Sequence, residues 1–550
     1  MTNYKAIVKW IINIYYLFNS ISEIKNINYT AMDNLKEKAE KGFLWEFGES
    51  VLGHLVSFIV SIILARILLP EQYGTVAIIM IFIGLATPIA TSGFATSLVR
   101  KTKVDQVDYD TIFLATEFFS LILYIILFGL APYIANGYGD PIAEPALKVM
   151  GITLFITAYN SVQKAYVQRE MSFKKFFFAS LIGTIASAVV GIVMAYKGFG
   201  VWALVAQKLT DQAVDTFILA FFVKWKPKFR FSLEKFGAHY HFSWRMSLTG
   251  FIGVVFDNLK GLIVGYKFKS EDLGYYKKGE SFPKLFGDQI NGPINSVMFS
   301  AYSKIKHDKP RLRNALSKSL MLSSFALVPI YFGLAAIAPV MIPVLITNKW
   351  IEAVPYLQFA SIGLLISTLG QYDDQIFKST GRSDVALKLE LIKKPIFLAI
   401  IIGCAFVSPL AIMIGSVCYS FIALCINSFA SKKLVGFGLI ERIKVCWRSI
   451  VIGGIMFAAV YFEQYIPINQ IALLFIEIAT GGIIYFVLSK LMNKKQLKEI
   501  VKEGKEFIAR KRNNKDKKSK EENSDSKENT ENKTDSPQEK EKKEWTGLKN

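Results

Sequence analysis

Long apolar runs separated by short polar gaps fill the chain from about residue 43 to residue 491. A helix rising 1.5 Å per residue needs about 20 mostly apolar residues to cross a bilayer. About fourteen runs reach that length: 43–67, 76–98, 112–135, 147–167, 176–196, 201–223, 241–266, 283–303, 317–346, 355–377, 385–407, 409–431, 445–462 and 470–491. The pattern predicts an all-α polytopic membrane protein. Its weakest run is the eighth, where "FGDQINGPINSVMF" sets Asp288, Asn291 and Asn295 around Gly292 and Pro293.

Composition agrees: 52% of the 550 residues are hydrophobic and 14% aromatic, too apolar for ordinary soluble domains. The net charge of +21 has two readings, nucleic-acid binding or membrane topology. Position decides between them. The gaps at 100–109, 168–175, 224–235, 304–313, 378–384 and 432–444 are all basic, whereas "LLPEQYG", "NGYGDPIAEP", "VSPL" and "EQYIPIN" between them hold no Lys or Arg. Positive charge gathers in short cytoplasmic loops, so this alternation places both termini in the cytoplasm and leaves no charge pattern calling for nucleic acid. One segment on the other side, "YKFKSEDLGYYKKGESFPK" (266–284), breaks the rule with several lysines.

Two stretches recur at a spacing near 200. Ile63, Glu71 and Gly74 of "ILARILLPEQYG" return as Ile263, Glu271 and Gly274, and Ser97, Lys101, Lys103 and Asp105 return as Ser300, Lys304, Lys306 and Asp308. Six helices are therefore expected to be duplicated: an N-lobe over 42–223, a cytoplasmic linker over 224–240 and a C-lobe over 241–432, followed by two extra helices over 444–491. An even number of helices per copy makes the repeat parallel, with its pseudo-two-fold axis along the membrane normal. The ends differ in kind. Residues 1–41 read as a cytoplasmic segment, either an interfacial helix or sequence upstream of a true start at Met32, and residues 492–550 as a charged tail unable to build a core.

Charged groups at membrane depth usually face a protein seam or a wet cavity. Here they include His54, Lys164, Lys208, Asp211, Asp215, Arg245, Asp257, Lys260, Asp288, Glu390, Lys393 and Lys394, so the chain is expected to enclose a hydrated, partly cationic space. Several sets share a helix face, such as Asp211 with Asp215 and Asp257 with Lys260; each could be a structural ion pair or a transport site. Cys404, Cys418, Cys425 and Cys446 have neither metal-ligand nor redox spacing, and "HYH" at 239–241 is read as a polar anchor, so no metal or cofactor is expected. No phosphate-cradling Gly-rich loop and no nucleophile set stand out, which argues against an enzyme.

"SIILARILLPEQYGTVAI", "SGFATSLVRK", "YKGFGVWALVAQKL", "LGYYKKGESFPKLFGDQINGPINSVMFSAYSKIKHDKPRLRNA", "NKWIEAVPYLQFASIGLL" and "STGRSDVALKLELIKKP" together resemble the oligosaccharide flippases of the polysaccharide transporter family. The branch is that of the colanic and teichuronic acid exporters, within the multidrug/oligosaccharidyl-lipid/polysaccharide exporter superfamily, and the likeness spans about residues 42 to 490. It implies a two-lobed secondary transporter of a bacterial cytoplasmic membrane that moves an undecaprenyl-diphosphate-linked oligosaccharide to the outer leaflet. A coupling ion, proton or sodium, and a polysaccharide polymerase are the implied partners. It also implies a cationic cavity between the lobes, which directs attention to His54, Arg245, Lys260, Asp288, Asn291 and Asn295, with Lys260 the first choice for the diphosphate. Asp257 and Glu390 are the coupling-ion candidates. The competing readings are an ion-coupled multidrug extruder of the same superfamily and a membrane-embedded polysaccharide polymerase.

Overall fold

The computed structural model describes residues 52–170 and 172–493, and all regular structure among them is helical. The expected N-terminal segment with its alternative start at Met32, and the tail from residue 494 onward, lie outside the described residues. The helices are α1 (Leu52–Ile67), α2 (Pro70–Thr87), α3 (Gly93–Arg100), α4 (Gln106–Tyr138), α5 (Ala143–Met150), α6 (Thr153–Arg169), α7 (Phe173–Tyr196) and α8 (Val201–Phe222). They continue as α9 (Leu233–Lys267), α10 (Ser270–Lys304), α11 (Lys309–Ile346), α12 (Ala353–Ser379), α13 (Ser383–Ala405), α14 (Pro409–Val435), α15 (Leu439–Glu463) and α16 (Gln470–Met492). Among the described residues nine helical segments are long and apolar enough to cross a membrane: α2 running into α3, then α4, α7, α9, α11, α12, α14, α15 and α16. The described parts of the other expected runs are helical too, but polar side chains or short length set them apart.

Both repeated stretches acquire physical reasons. The first marks the start of a helix. At α2 the Gln72 side chain accepts a hydrogen bond from the Leu69 N–H (3.0 Å), and at α10 Asp272 does the same for the Lys269 N–H (3.2 Å). Glu71 and Glu271 follow the cap, where the helix dipole favours a negative charge. The two starts then cross each other reciprocally: a Cβ on Gly74 would stand 1.7 Å from the Ser270 carbonyl oxygen, and one on Gly274 would stand 2.0 Å from that of Pro70. Glycine lets the two backbones touch where any side chain would hold them apart. The second repeated stretch ends in a cap, since the Asp105 carboxylate accepts from the Asp108 N–H (2.9 Å) and that of Asp308 from the Arg311 N–H (3.0 Å). Lys235 also hydrogen-bonds Asp105 and, with the helix cap, holds its carboxyl down at about 2, so Asp105 stays ionised under physiological conditions.

Around the crossing the connections lock in the same reciprocal way. Asp140, between α4 and α5, accepts from Thr75 Oγ1 (2.5 Å) and from Ser270 Oγ (3.1 Å). On the far side the Trp350 indole N–H donates to the Ala65 carbonyl (2.8 Å), Lys349 donates to that of Arg66 (2.7 Å), and Arg66 donates to those of Leu345 (2.7 Å) and Val344 (2.5 Å). This end is the lysine-poor one. At the opposite, basic end a π-helical turn at Pro88–Ser92 bends the second crossing and delivers Gly93 against α9, where a Cβ would stand 2.0 Å from the Ser243 carbonyl oxygen. Proline removes a ladder donor there, a recognised cause of a local bend. His239 is buried nearby, hydrogen-bonded to Ser97 (2.7 Å) and close to Asp108 (3.3 Å), and so acts as a polar anchor.

The sequence expectation needs one correction. The lysine-rich segment 266–284 is no loop: from Ser270 it is the first half of α10, and Lys278 within it is only 5% exposed. The periodicity lost the helix because charges interrupt its apolar run.

Placing a methyl group at the reciprocal crossing forces backbone to move, and overpacking costs about 1–3 kcal/mol or more. Gly274→Ala is therefore expected to lower the thermal midpoint of the detergent-solubilised protein by several degrees. Gly84→Ala, whose added methyl would stand 3.9 Å from Val254, serves as the neutral control, and equal midpoints for the two variants would remove the crossing from this account.

Candidate functional site

A cavity of about 490 Å³ lies where α1, α2, α7, α8, α9 and α10 meet, lined by Ser61, Lys208, Asp211, Asn258, Lys277 and Lys278 among others. Local structure explains why lysines point into it. Gly274 brings the start of α10 against α2, and the next turn then presents Lys277 and Lys278 to the seam. From the other wall, Lys208 and Asp211 stand one turn apart on α8. Asp211 Oδ1 receives a long hydrogen bond from Ser187 (3.5 Å).

The lysines differ in what neutralises them. Lys260 on α9 donates to Glu280 Oε1 (3.1 Å), and Glu280 also faces Lys277 through its other oxygen (3.8 Å). Two lysines therefore share one carboxylate. Lys278 has no carboxylate within ion-pair distance among the described residues. Its ammonium donates to Ser61 Oγ (2.8 Å) and the Ser61 carbonyl (3.2 Å), and it sits 5.0, 5.7 and 5.8 Å from the ring centres of Tyr73, Trp350 and Phe282. Aromatic faces attract a cation at such distances but do not cancel its charge. A buried charge is expensive unless paired, and Lys278 is the lysine of this wall whose charge meets only hydroxyl, carbonyl and aromatic groups.

The residues singled out in the sequence divide. Lys260 is engaged by Glu280, while Arg245 lies about 22 Å farther along the same helix, exposed and 5.6 Å from the Trp244 ring. His54 and Asp257 are exposed, and Asp257's neighbour Asn258 is the one on the cavity wall. Glu390 is held by Lys393 (2.6 Å) and Lys394 (3.8 Å) on its own helix. Asp288, Asn291 and Asn295 belong to α10, but their side chains lie outside the described residues. Lys164 meets Asp215 at 3.7 Å, which separates Asp215 from Asp211. Lys277, Lys278 and Glu280 were missed as site residues because they were read as a loop. The repeat itself carried the missing signal: if Gly74 lies one turn inside a helix, Gly274 should as well.

A larger hollow of about 580 Å³ opens on the flank of the bundle, but its lining of Phe113, Phe155, Tyr159, Phe217 and others is apolar apart from Glu117 and Thr216. It offers no cation to an anionic ligand.

The sequence profile of a family described as "Polysaccharide biosynthesis protein" matches residues 63–355, just over half of the chain. The succinoglycan biosynthesis transport protein ExoT of Rhizobium meliloti (strain 1021) is 24% identical over 461 residues, covering 81% of this chain and 91% of the relative. The lipopolysaccharide biosynthesis protein WzxC of Escherichia coli (strain K12) is 21% identical over 405 residues, covering 73% and 82%. Among solved structures, the lipid II flippase MurJ in an inward closed conformation aligns with a TM-score of 0.68 at 14% identity, covering 83% of this chain and 99% of that one. At that identity the likeness is one of fold.

Removing one partner of a buried ion pair costs about 3–5 kcal/mol, whereas replacing both is far milder. Glu280→Gln, which strands both lysines, is expected to lower thermal stability strongly, Lys260→Met, which leaves Glu280 with Lys277, to lower it less, and the double variant to recover part of the Glu280→Gln loss. A double variant as unstable as the sum of the two singles would show that the contact carries no coupling.

Proposed function

Because the chain belongs to the polysaccharide biosynthesis protein family, we propose that it is a flippase for an undecaprenyl-diphosphate-linked oligosaccharide, carrying it from the cytoplasmic to the outer leaflet. It is a transporter, and its substrate leaves chemically unchanged. The observation that carries this reading is the buried Lys278, which shares a cavity wall with Lys277 and faces Lys208 without a counter-ion of its own. A lipid diphosphate cannot enter hydrocarbon with its charge unsolvated; an uncompensated ammonium replaces part of the lost hydration, and charge-assisted hydrogen bonds to it are worth about 1.5–3 kcal/mol each. The Glu280 carboxylate holds Lys260 and Lys277 in place when the cavity is empty and leaves the two lysines one net positive charge between them. Hydroxyl and amide groups on the walls, such as Ser61, Gln207 and Asn258, suit sugar hydroxyls.

The topology follows the charge pattern. The basic end is cytoplasmic, both termini with it, and the chain makes fourteen crossings: lobes at 42–223 and 241–432 and an added hairpin at 444–491. The reciprocal lock through Asp140, Arg66 and Trp350 then closes the outer end, and its release opens the cavity to the outer leaflet. A proton or sodium gradient or the membrane potential supplies the drive. Asp211 is the carboxylate on the cavity wall, better placed to sense a coupling ion than Asp257, which is exposed, or Glu390, which two lysines engage. An extruder of cationic drugs would need acidic walls, yet three lysines here stand against Asp211.

Loss of one charge-assisted contact corresponds to about a tenfold change or more. In cells deleted for the native transporter, Lys278→Gln at normal abundance is expected to cut polymer export about tenfold or more, with Lys277→Gln intermediate and Arg245→Gln near parental. Parental export by Lys278→Gln would overturn the diphosphate site.

A further inference from the structure

The last helical hairpin holds a second group of polar side chains that the cavity does not use. Glu477 on α16 is 1% exposed, and neither carboxylate oxygen meets a hydrogen-bond donor. Its position follows from packing: Gly481 lies against Val460 of α15, with a Cβ 3.4 Å from Val460 Cγ2, and one turn farther toward the connecting loop sets Glu477 opposite Glu463 and Gln464. The Glu463 carboxylate is near enough to interact with that of Glu477 electrostatically. Glu463 Oε2 and Gln464 Nε2 are buried without a partner as well. No lysine, arginine or histidine forms an ion pair with either glutamate among the described residues, and the loop 465–469, "YIPIN", contains none. On the same face as Glu477, Leu473 and Leu474 pack into an apolar cluster with Leu334, Ala338 and Met341 of α11.

Two acids near a helix end would ordinarily be solvated surface groups. The separate observation is that Glu477 is sealed from water with both oxygens vacant, a condition costing several kcal/mol for a carboxylate unless a cation or a proton satisfies it. We propose that the turn between α15 and α16 is a binding site for one divalent cation of the calcium class, held by the carboxylates of Glu477 and Glu463 and by the Gln464 amide turned over so that its oxygen replaces the buried Nε2, with water completing the shell. Oxygen-only donors select hard cations, calcium accepting six to eight ligands in flexible geometry. The two carboxylates balance the double charge. In the proposed topology this turn faces the cell exterior, where weak sites with dissociation constants of about 0.1–1 mM are filled. The ion staples the outer end of the added hairpin to α11, apart from the lysine cavity.

The test uses full-length protein in lipid nanodiscs, stripped with EDTA and titrated with radioactive calcium by equilibrium dialysis, alongside thermal unfolding in calcium and in EDTA. The expected result is one calcium per chain and a midpoint raised by calcium in the parent. Glu477→Gln should weaken binding at least about tenfold and abolish the calcium-dependent shift, while its midpoint in EDTA equals or exceeds that of the parent, which shows that it folds. Glu463→Gln should weaken binding, and Lys278→Gln should leave it unchanged whatever it does to export. Absent calcium binding, or binding unaltered in Glu477→Gln, overturns the site. A midpoint that follows pH but ignores calcium and EDTA assigns a proton there instead and overturns it equally.

Discussion

Two helix starts touching backbone to backbone govern the rest of this structure. Gly74 against the Ser270 carbonyl and Gly274 against that of Pro70 leave no room for a side chain in either direction. In lipid there is little hydrophobic force between helices, so close approach of small residues must supply the contact. Here the contact is doubled, because Gly74 meets Ser270 and Gly274 meets Pro70 at reciprocal positions. The groups near the lysine-poor end are arranged around it: Asp140 reaches both starts through Thr75 and Ser270, and Trp350 and Lys349 reach the last turn of α1. The lock combines hydrogen bonds and the glycine crossing with aromatic packing, since Tyr73 and Tyr275 meet Trp350 edge-on at 5.2 and 6.1 Å.

The same crossing determines the electrostatics. It fixes the start of α10 against α2, and the next turn then presents Lys277 and Lys278 to the seam whether or not charge is welcome there. The chain resolves this unequally. Glu280 compensates Lys260 and Lys277, while Ser61 and three aromatic rings surround Lys278 without neutralising it. A protein selected only for stability would have closed that gap with a second carboxylate or a neutral side chain. Leaving it open is intelligible if an anion arrives from outside the chain.

Much of the fold was legible because a bilayer imposes one length and one polarity on every crossing. The runs at 317–346 and 355–377 fell on α11 and α12 for that reason. The eighth helix was truncated because the rule that finds helices by apolarity fails where a helix lines a wet seam. The candidate site was harder to read because spacing gives a face and not a partner. Asp211 and Asp215 are four residues apart, about 40° around the axis and 6 Å along it; that suffices to put the first on the cavity and the second against Lys164. Asp257 and Lys260 diverge similarly, one exposed and the other bound to Glu280. For Lys260, only the structure could show that its charge was already met by Glu280.

The two vacant groups, Lys278 and Glu477, are buried to similar degrees and carry opposite signs, and their surroundings direct them to different occupants. Around Lys278 lie further lysines, serine hydroxyls and an asparagine on a cavity wide enough for a headgroup. Around Glu477 lie another carboxylate, one amide and close-packed leucines. In the proposed function, the first is on the seam that opens for transport. The second joins a hairpin added after the repeat, where no reciprocal copy exists to lock it. The hairpin rests on α11 through a glycine of its own, a Cβ on Gly453 standing 2.3 Å from Val328 Cγ1, and the proposed cation would add a contact at the outer end.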